Sequence, residues 1–180
     1  MKKTIFILIV LLSLAGCQQR GAELDQRKDI GHKLIVKSFS DLQNKDLKSA
    51  ITDLQASMRI NPSEPEAYLL LGQILLKIQE YDHAADFLDQ TAKVFPDNGT
   101  VFYMLSISNK MAGKKLPAVL AARHSVELFQ SQMDRDNMLK SAALLHDLMD
   151  MPDEPGTAAK KKEASQATGN VQGKSAGQSK

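Results

Sequence analysis

Residues 65–96 read PEAYLLLGQILLKIQEYDHAADFLDQTAKVFP, and their apolar residues recur at spacings of three and four. This spacing puts apolar side chains on one face of an α-helix, whereas a half-buried strand would alternate apolar and polar residues. The length of the stretch and the prolines at its two ends predict a helix-turn-helix unit. The same spacing continues from Ala22 to Met149, so the body of the chain is predicted to be all-α.

Two proline signals lie 34 residues apart, INPSEP at residues 60–65 and FPDNG at residues 95–99. A helix-turn-helix unit with this period resembles the tetratricopeptide repeat, whose pattern is W-x2-L-G-x2-Y, then A-x3-F, then P. The departures are Tyr for Trp, Leu for Tyr and Leu for Phe, and all three remain large and apolar. The matching residues of this chain are Tyr68, Leu71, Gly72, Leu75, Ala84, Leu88 and Pro96.

The flanking sequence fits the same register less closely. Leu34, Ala50, Leu54 and Pro62 fit a first repeat, and Ala118 fits a third. Gly113 is expected in the turn of the third repeat. The resemblance predicts an all-α, helix-turn-helix tetratricopeptide solenoid of about three repeats, at residues 31–64, 65–98 and 99–132, within a domain spanning 31–150.

A C-terminal capping helix is predicted at residues 134–150. Its apolar residues Met138, Ala142, Leu145 and Met149 recur on one helical face, which is expected to cover the last repeat. Residues 152–180 contain no aromatic residue and one large aliphatic residue, Val171. Such a composition buries too little apolar surface to fold, so the tail at residues 151–180 is predicted to be disordered.

The chain begins with a positive MKK, the apolar run IFILIVLL and a small-residue segment, which together are typical of a signal peptide at residues 1–16. The apolar run is too short to span a membrane. LAGC at residues 14–17 resembles the lipobox of bacterial lipoproteins, in which the cysteine is lipidated with acyl chains such as palmitate. The resemblance therefore implies lipidation of Cys17, followed by a linker or lead helix at residues 17–30.

The residue after the lipidated cysteine sorts lipoproteins that resemble the enteric bacterial type. Aspartate at that position retains them in the inner membrane, and this chain has Gln18 instead. The resemblance therefore implies attachment to the outer membrane, facing the periplasm.

Composition argues against several functional classes. Without Lys2 and Lys3, 21 basic residues balance 21 acidic ones, so no strong field would attract nucleic acid. Cys17 is the only cysteine, which rules out a disulfide within the chain. The four histidines have no metal-binding spacing, and no nucleophile elbow or phosphate-binding glycine loop occurs. We expect no enzyme activity, no metal and no cofactor.

In tetratricopeptide proteins the first helix of each repeat lines a concave groove. Transferred to this chain, the groove positions are Ile35, Phe39, Leu69, Gln73, Leu76, Tyr103, Ile107 and Met111. The Lys, Asn and Arg set that grips a peptide carboxylate in some relatives is absent. An apolar groove of this kind would accept an amphipathic helix or an apolar extended segment. The alternative is that the groove is covered by residues 22–30, by the capping helix or by a second copy.

These observations predict a lipid-anchored adaptor of the cell envelope that binds partner proteins through its groove, in the assembly of an envelope complex. It would contact the membrane through the lipid on Cys17. Two alternatives stay open: a periplasmic lipid or glycan carrier or accessory factor, and a self-assembling structural protein that forms homo-oligomers.

Overall fold

A computed structural model describes the backbone of residues 2–152 and the side chains of residues 21 and 23–152. These residues form seven helices and no strand, which confirms the all-α prediction for the described part of the chain. The helices are α1 (Lys2–Gln43), α2 (Leu47–Ile60), α3 (Pro65–Lys77), α4 (Tyr81–Val94), α5 (Gly99–Met111), α6 (Lys115–Ser131) and α7 (Arg135–Asp150).

The chain divides into two compact units at Ile78. In unit 1, which ends at Ile78, α2 contacts both α1 and α3. In unit 2, which begins at Gln79, helices α4 to α7 contact one another in chain order. Each helix therefore packs on its sequence neighbours within its unit, as expected for stacked helical hairpins.

Side chains and a proline begin several of the helices. Asp46 accepts a hydrogen bond from the backbone N–H of Ser49 at 3.0 Å and begins α2. Asn98 caps α5 in the same way, and Asp134 caps α7. Pro65 occupies the first turn of α3, where its missing N–H costs little. Each cap satisfies donors that a helix start otherwise leaves unpaired.

The turns after α1, α3 and α5 share one backbone feature. Lys45, Gln79 and Gly113 lie 34 residues apart and have positive φ angles of 62°, 65° and 76°. A single left-handed residue commonly ends a helix, and glycine adopts this conformation without steric cost. The structure thus places Gly113 in the predicted turn and shows the same left-handed conformation at Lys45 and Gln79.

The core of each unit contains small side chains at equivalent repeat positions. Ala50, Ala84 and Ala118 are completely buried in the second helices of the three predicted repeats. In the first helices, Ser38 and Ser106 are completely buried at the position that Gly72 holds in the middle repeat. Small residues at these positions allow helices to approach closely, which explains why the family pattern has glycine and alanine there.

A glycine and a serine join the helices in two of the hairpins. The Ser57 hydroxyl donates to the Gly31 carbonyl at 2.9 Å, and the Ser125 hydroxyl donates to the Gly99 carbonyl at the same distance. A Cβ on Gly99 would lie 2.9 Å from the Phe129 ring. Gly99 therefore permits close packing of α5 on α6.

Ion pairs involve two exposed lysines of α1. Lys33 binds Asp29 at 2.6 Å, and Lys37 binds Asp53 and, at 3.4 Å, Asp41. The hydrogen bond to Asp53 is the main reason why the pKa of Lys37 is raised. The equivalent positions one and two repeats later, at offsets of 34 and 68 from Lys33 and Lys37, are apolar and buried. They are Ala67, Leu71, Val101 and Leu105.

The buried face of the capping helix α7 overlaps the predicted face but is offset from it. Its two buried residues are Ser141 and Leu148, and Leu148 packs with Ala118 and Ala122 of α6. Leu145 joins this cluster as predicted, but Met149 remains 68% exposed. The prediction was wrong for Met149, which is apolar by sequence yet lies to one side of the line of contact with α6.

The structure describes two of the predicted segments only in part. The predicted linker at residues 17–30 lies within α1. The tail from residue 153 onward lies outside the described residues. Among the residues that are described, no helix has the length and apolar character needed to cross a membrane.

Candidate functional site

A cleft in unit 1 lies beside the turn between α1 and α2. We call it the unit 1 cleft; its volume is about 420 Å³. This volume is within the usual range of ligand pockets, about 300–1,000 Å³. Its lining comes from the end of α1, the start of α2 and the second half of α3: Leu42, Lys45, Leu47, Leu70, Gln73, Ile74, Lys77 and Ile78.

The cleft combines apolar walls with two cationic side chains. Leu47 is 40% exposed and Ile78 is 41% exposed, so apolar surface faces solvent on two sides. Lys45 and Lys77 are exposed, and no acidic residue lines the cleft. Within the described part of the chain, neither lysine forms an ion pair. The cleft can therefore accept an apolar group that has negative charge beside it.

The predicted groove residues of unit 1 differ in accessibility. Gln73 is exposed and lines the cleft, and Phe39 is 44% exposed on α1. Leu69 and Leu76 are half-buried on α3. Four of the five residues thus present surface that a partner could contact.

Ile35 does not fit the predicted groove. Its side chain is completely buried. It lies on the same side of α1 as Gly31 and Ser38, one turn before and one turn after, and both are buried. The family register pointed Ile35 toward the groove, but the contact between α1 and α2 places it in the core.

The predicted groove residues of unit 2 follow one stripe of α5. Tyr103 and Ile107 are half-buried, and Met111 is 50% exposed. Spacing by four residues puts the three on the same helical face. The adjacent Phe102 ring packs edge-on against His124 of α6, with ring centroids 4.3 Å apart. Tyr103 therefore lies about 100° around the helix from the α6 contact.

A second cavity, of about 500 Å³ in unit 2, is lined mainly by residues 94–100 and the start of α7. Its polar groups are used within the fold. Asn98 accepts from the backbone N–H groups of Thr100 and Val101, and Gln132 donates to the carbonyl of Asp97. Asp134 accepts from Asn137, and these hydrogen bonds lower the pKa of the Asp134 carboxyl group. The cavity is thus best explained by helix capping.

The described residues contain no group of three or more His, Cys, Asp or Glu side chains that could hold a metal ion. His83, His124 and His146 each lie beside a carboxylate three or four residues away on their own helix. These are helix-surface pairs of a common kind.

The side chain of Cys17 lies outside the described side chains, so its lipidation remains a prediction.

Comparison of sequences supports the repeat interpretation. The tetratricopeptide repeat family matches residues 41–106, which includes the middle repeat and parts of both neighbours. No curated protein is significantly similar to this chain in sequence.

Solved structures show a similar fold. PcrH from Pseudomonas aeruginosa has a TM-score of 0.62 and 15% identity, over 68% of this chain and 93% of PcrH. The type III secretion translocator chaperone SycD from Yersinia enterocolitica has a TM-score of 0.60 and 16% identity, over 67% and 92%. PcrH bound to the chaperone-binding region of PopD has a TM-score of 0.59 and 15% identity, over 66% and 90%. Identities this low show the fold alone.

Proposed function

Because the described residues form an all-α tetratricopeptide fold, we propose that this protein is a lipid-anchored adaptor that binds partner proteins of the cell envelope. The observation that carries the proposal is accessible apolar surface at predicted groove positions in both units. Phe39 and Met111 are about half exposed. Partial exposure of an apolar side chain costs a monomer little, but burial of the same side chain against a partner is favourable. PcrH, which has a similar fold, binds a region of PopD in its solved complex.

The proposed anchoring rests on the N-terminal sequence. Cys17 would carry the lipid, and the protein would face the periplasm from the outer membrane. Two or more acyl chains are needed for stable membrane attachment, because a single chain binds only marginally. Cells fed with labelled palmitate should therefore incorporate label into the wild-type chain and none into Cys17→Ala. Label retained in the Cys17→Ala variant would contradict lipidation at this residue.

In-cell crosslinking tests the binding function. Photoreactive residues at Leu69 and Tyr103 would report on α3 and α5 separately, and mass spectrometry would identify the products. We expect a discrete product with another envelope protein from at least one site. Products formed only with a second copy would support the self-assembling alternative, and the absence of any product would overturn the adaptor proposal.

Tyr103→Glu adds a direct test of the α5 stripe. A carboxylate that a bound partner buries is costly, so the variant should reduce partner capture at least tenfold. It should leave the helical circular dichroism signal of the free protein unchanged. Leu120→Glu is the matched control, because Leu120 is 56% exposed on α6 and lies outside the predicted groove. Loss of helical signal in Tyr103→Glu would show that Tyr103 stabilises the core instead.

A further inference from the structure

The unit 1 cleft has features that the repeat architecture does not require. Its walls contain five apolar side chains, two of them substantially exposed. Its charged lining residues are both lysines, and the remaining polar residue, Gln73, is uncharged. An apolar pocket with a few polar groups at fixed positions is the usual form of a binding site.

Lys45 is especially informative because its backbone conformation is unfavourable for lysine. It has a φ of 62°, and the equivalent residues in the second and third repeats are Gln79, with a φ of 65°, and Gly113. Glycine would avoid the steric cost of the left-handed conformation. The turn holds lysine, glutamine or glycine at this position and so does not require a positive charge. Of these three residues, Lys45 alone lines the unit 1 cleft, where its charge lies beside apolar walls.

Lys77 has a structural explanation as well as a functional one. It lies in the last turn of α3, where a cation interacts favourably with the helix dipole. That role needs a positive charge anywhere in the last turn. The position of Lys77 in the cleft lining additionally makes it available to an anionic group on a ligand.

We propose that the unit 1 cleft binds a segment of a partner protein in which one large apolar side chain has carboxylates on both sides. The apolar side chain would fill the cleft between Leu47 and Ile78, and the carboxylates would pair with Lys45 and Lys77. This inference rests on the proposed adaptor function and specifies the chemistry of the partner. Charge complementarity is the reason for preferring an acidic segment over a neutral or basic one.

Three peptides with blocked ends test this chemistry on the purified full chain carrying a photoreactive residue at Gln73. Their sequences are EEFEE, KKFKK and EESEE, so they separate the contribution of charge from that of the apolar side chain. We expect EEFEE to crosslink about tenfold more than either other peptide, and raising the salt concentration should reduce its yield. Equal yields for EEFEE and KKFKK, or for EEFEE and EESEE, would overturn the proposal.

Charge reversal supplies a matched pair of variants. Lys45→Glu with Lys77→Glu should reduce the EEFEE yield about tenfold and raise the KKFKK yield. Lys28→Glu with Lys48→Glu changes net charge equally at exposed lysines of α1 and α2 that do not line the cleft. This control should leave both yields unchanged. An equal loss in the two double variants would mean that only the overall charge attracts the peptide.

Two further measurements complete the test. The first distinguishes an acidic peptide from a lipid in the cleft, and the second distinguishes binding in the cleft from binding elsewhere on the protein. If dodecanoate prevents the EEFEE crosslink and binds more tightly than the peptide, the cleft holds a lipid and the inference is wrong. The in-cell products from Leu69 and Tyr103 test the adaptor function separately. Products that persist in the Lys45→Glu, Lys77→Glu variant would preserve the adaptor function and overturn the proposed chemistry of this cleft.

Discussion

Gly99 shows how a single residue determines the distance between two helices. Its Cα faces the Phe129 ring, and its carbonyl accepts a hydrogen bond from Ser125. A side chain there would push against an aromatic ring that is itself almost completely buried. Gly31 lies in a similar position against α2, where an added Cβ would lie 3.1 Å from the Cβ of Asn61. The contact at Gly99 is therefore the tighter of the two.

Gly99→Ala is predicted to destabilise the protein by about 1–3 kcal/mol, because overpacking forces the ring or the helix to shift. The measurement is urea unfolding of the full chain. Gly21→Ala is the control, since a Cβ at Gly21 of α1 meets nothing within 4 Å. That change should stabilise the helix by about 0.5–1 kcal/mol. Equal effects of the same sign would show that the Phe129 contact is not limiting.

Asp134 is predicted to make the stability of the protein depend on pH in the acid range. Its hydrogen bonds with Asn137 lower its folded-state pKa, so the ionised form stabilises the folded state. This contribution is complete above the unfolded pKa of about 3.9 and is lost as pH falls through the lower folded pKa. Asp134→Asn keeps a capping oxygen but cannot titrate. Its stability deficit should be largest near neutral pH and should disappear in strong acid.

The check is a series of urea unfolding curves from neutral to strongly acidic pH. Asp25→Asn provides the comparison, because Asp25 is an exposed residue of α1 with no described ion pair. A deficit for Asp134→Asn that stays constant at every pH would mean that the charge of Asp134 contributes nothing beyond its capping oxygen.

At the scale of single residues, the sequence predicts accessibility better for some groove positions than for others. Gln73 and Phe39 are exposed, as their assignment to the groove requires. Ile35 is buried because the first repeat buries the stripe that contains Gly31 and Ser38, and a register transferred from the family does not contain that information. The positive φ at Lys45 was not predicted either. A sequence signal existed, because Lys45, Gln79 and Gly113 are spaced by one repeat.

At the scale of the helical element, substitutions at two turn residues are predicted to change stability in opposite directions. Gly113→Ala should destabilise the protein by about 1 kcal/mol, because alanine meets the steric cost of a positive φ. Space is not the cause, since a Cβ at Gly113 would have no neighbour within 4 Å. Gln79→Gly should stabilise the protein by somewhat less, because glycine also gains freedom in the unfolded chain.

Thermal unfolding of the two variants beside the wild type would test this pair. Gly21→Ala serves again as the reference for glycine replacement in ordinary helical conformation. A stabilising Gly113→Ala variant, or a destabilising Gln79→Gly variant, would contradict a left-handed conformation at these turns in solution.

Helices as elements were well predicted by apolar spacing and by proline and glycine signals. The centre of the buried face of α7 was not, although the position of α7 in the chain was anticipated. Leu145 of the predicted face packs against the α6 cluster, but the residues that α7 buries most fully are Ser141 and Leu148. A buried serine could not be predicted from hydrophobicity. Ser141 is buried because its hydroxyl lies 2.9 Å from the hydroxyl of Ser125.

At the scale of the whole molecule, the repeat period is the property that made the tetratricopeptide fold predictable. One clear repeat at residues 65–98 provided a register, and that register could be extended in both directions. The unit 1 cleft was not predictable in the same way, because its lining combines the end of one helical hairpin with the first helix of the next. Such a site depends on packing between repeats, which no single repeat specifies.

Repeat proteins are stabilised mainly by contacts between neighbouring elements, and this predicts local effects of core changes. Leu54→Ala and Leu148→Ala remove completely buried side chains from unit 1 and unit 2 and should each cost about 2–5 kcal/mol. Leu54→Ala should accelerate amide hydrogen exchange chiefly in α1 and α2, and Leu148→Ala chiefly in α6 and α7. Uniform acceleration in both variants would instead indicate a single cooperative unit.

The ion pairs on α1 have a consequence for the docking of a second copy at this end of the repeats. A stack of repeats lengthens when another repeat docks on its exposed end, and head-to-tail docking without closure produces fibres. On α1 the positions that are apolar in later repeats are Lys33 and Lys37, each held by aspartates. Docking there would strip water from several charges. Charged side chains at these positions of α1 therefore disfavour head-to-tail docking of a further copy there.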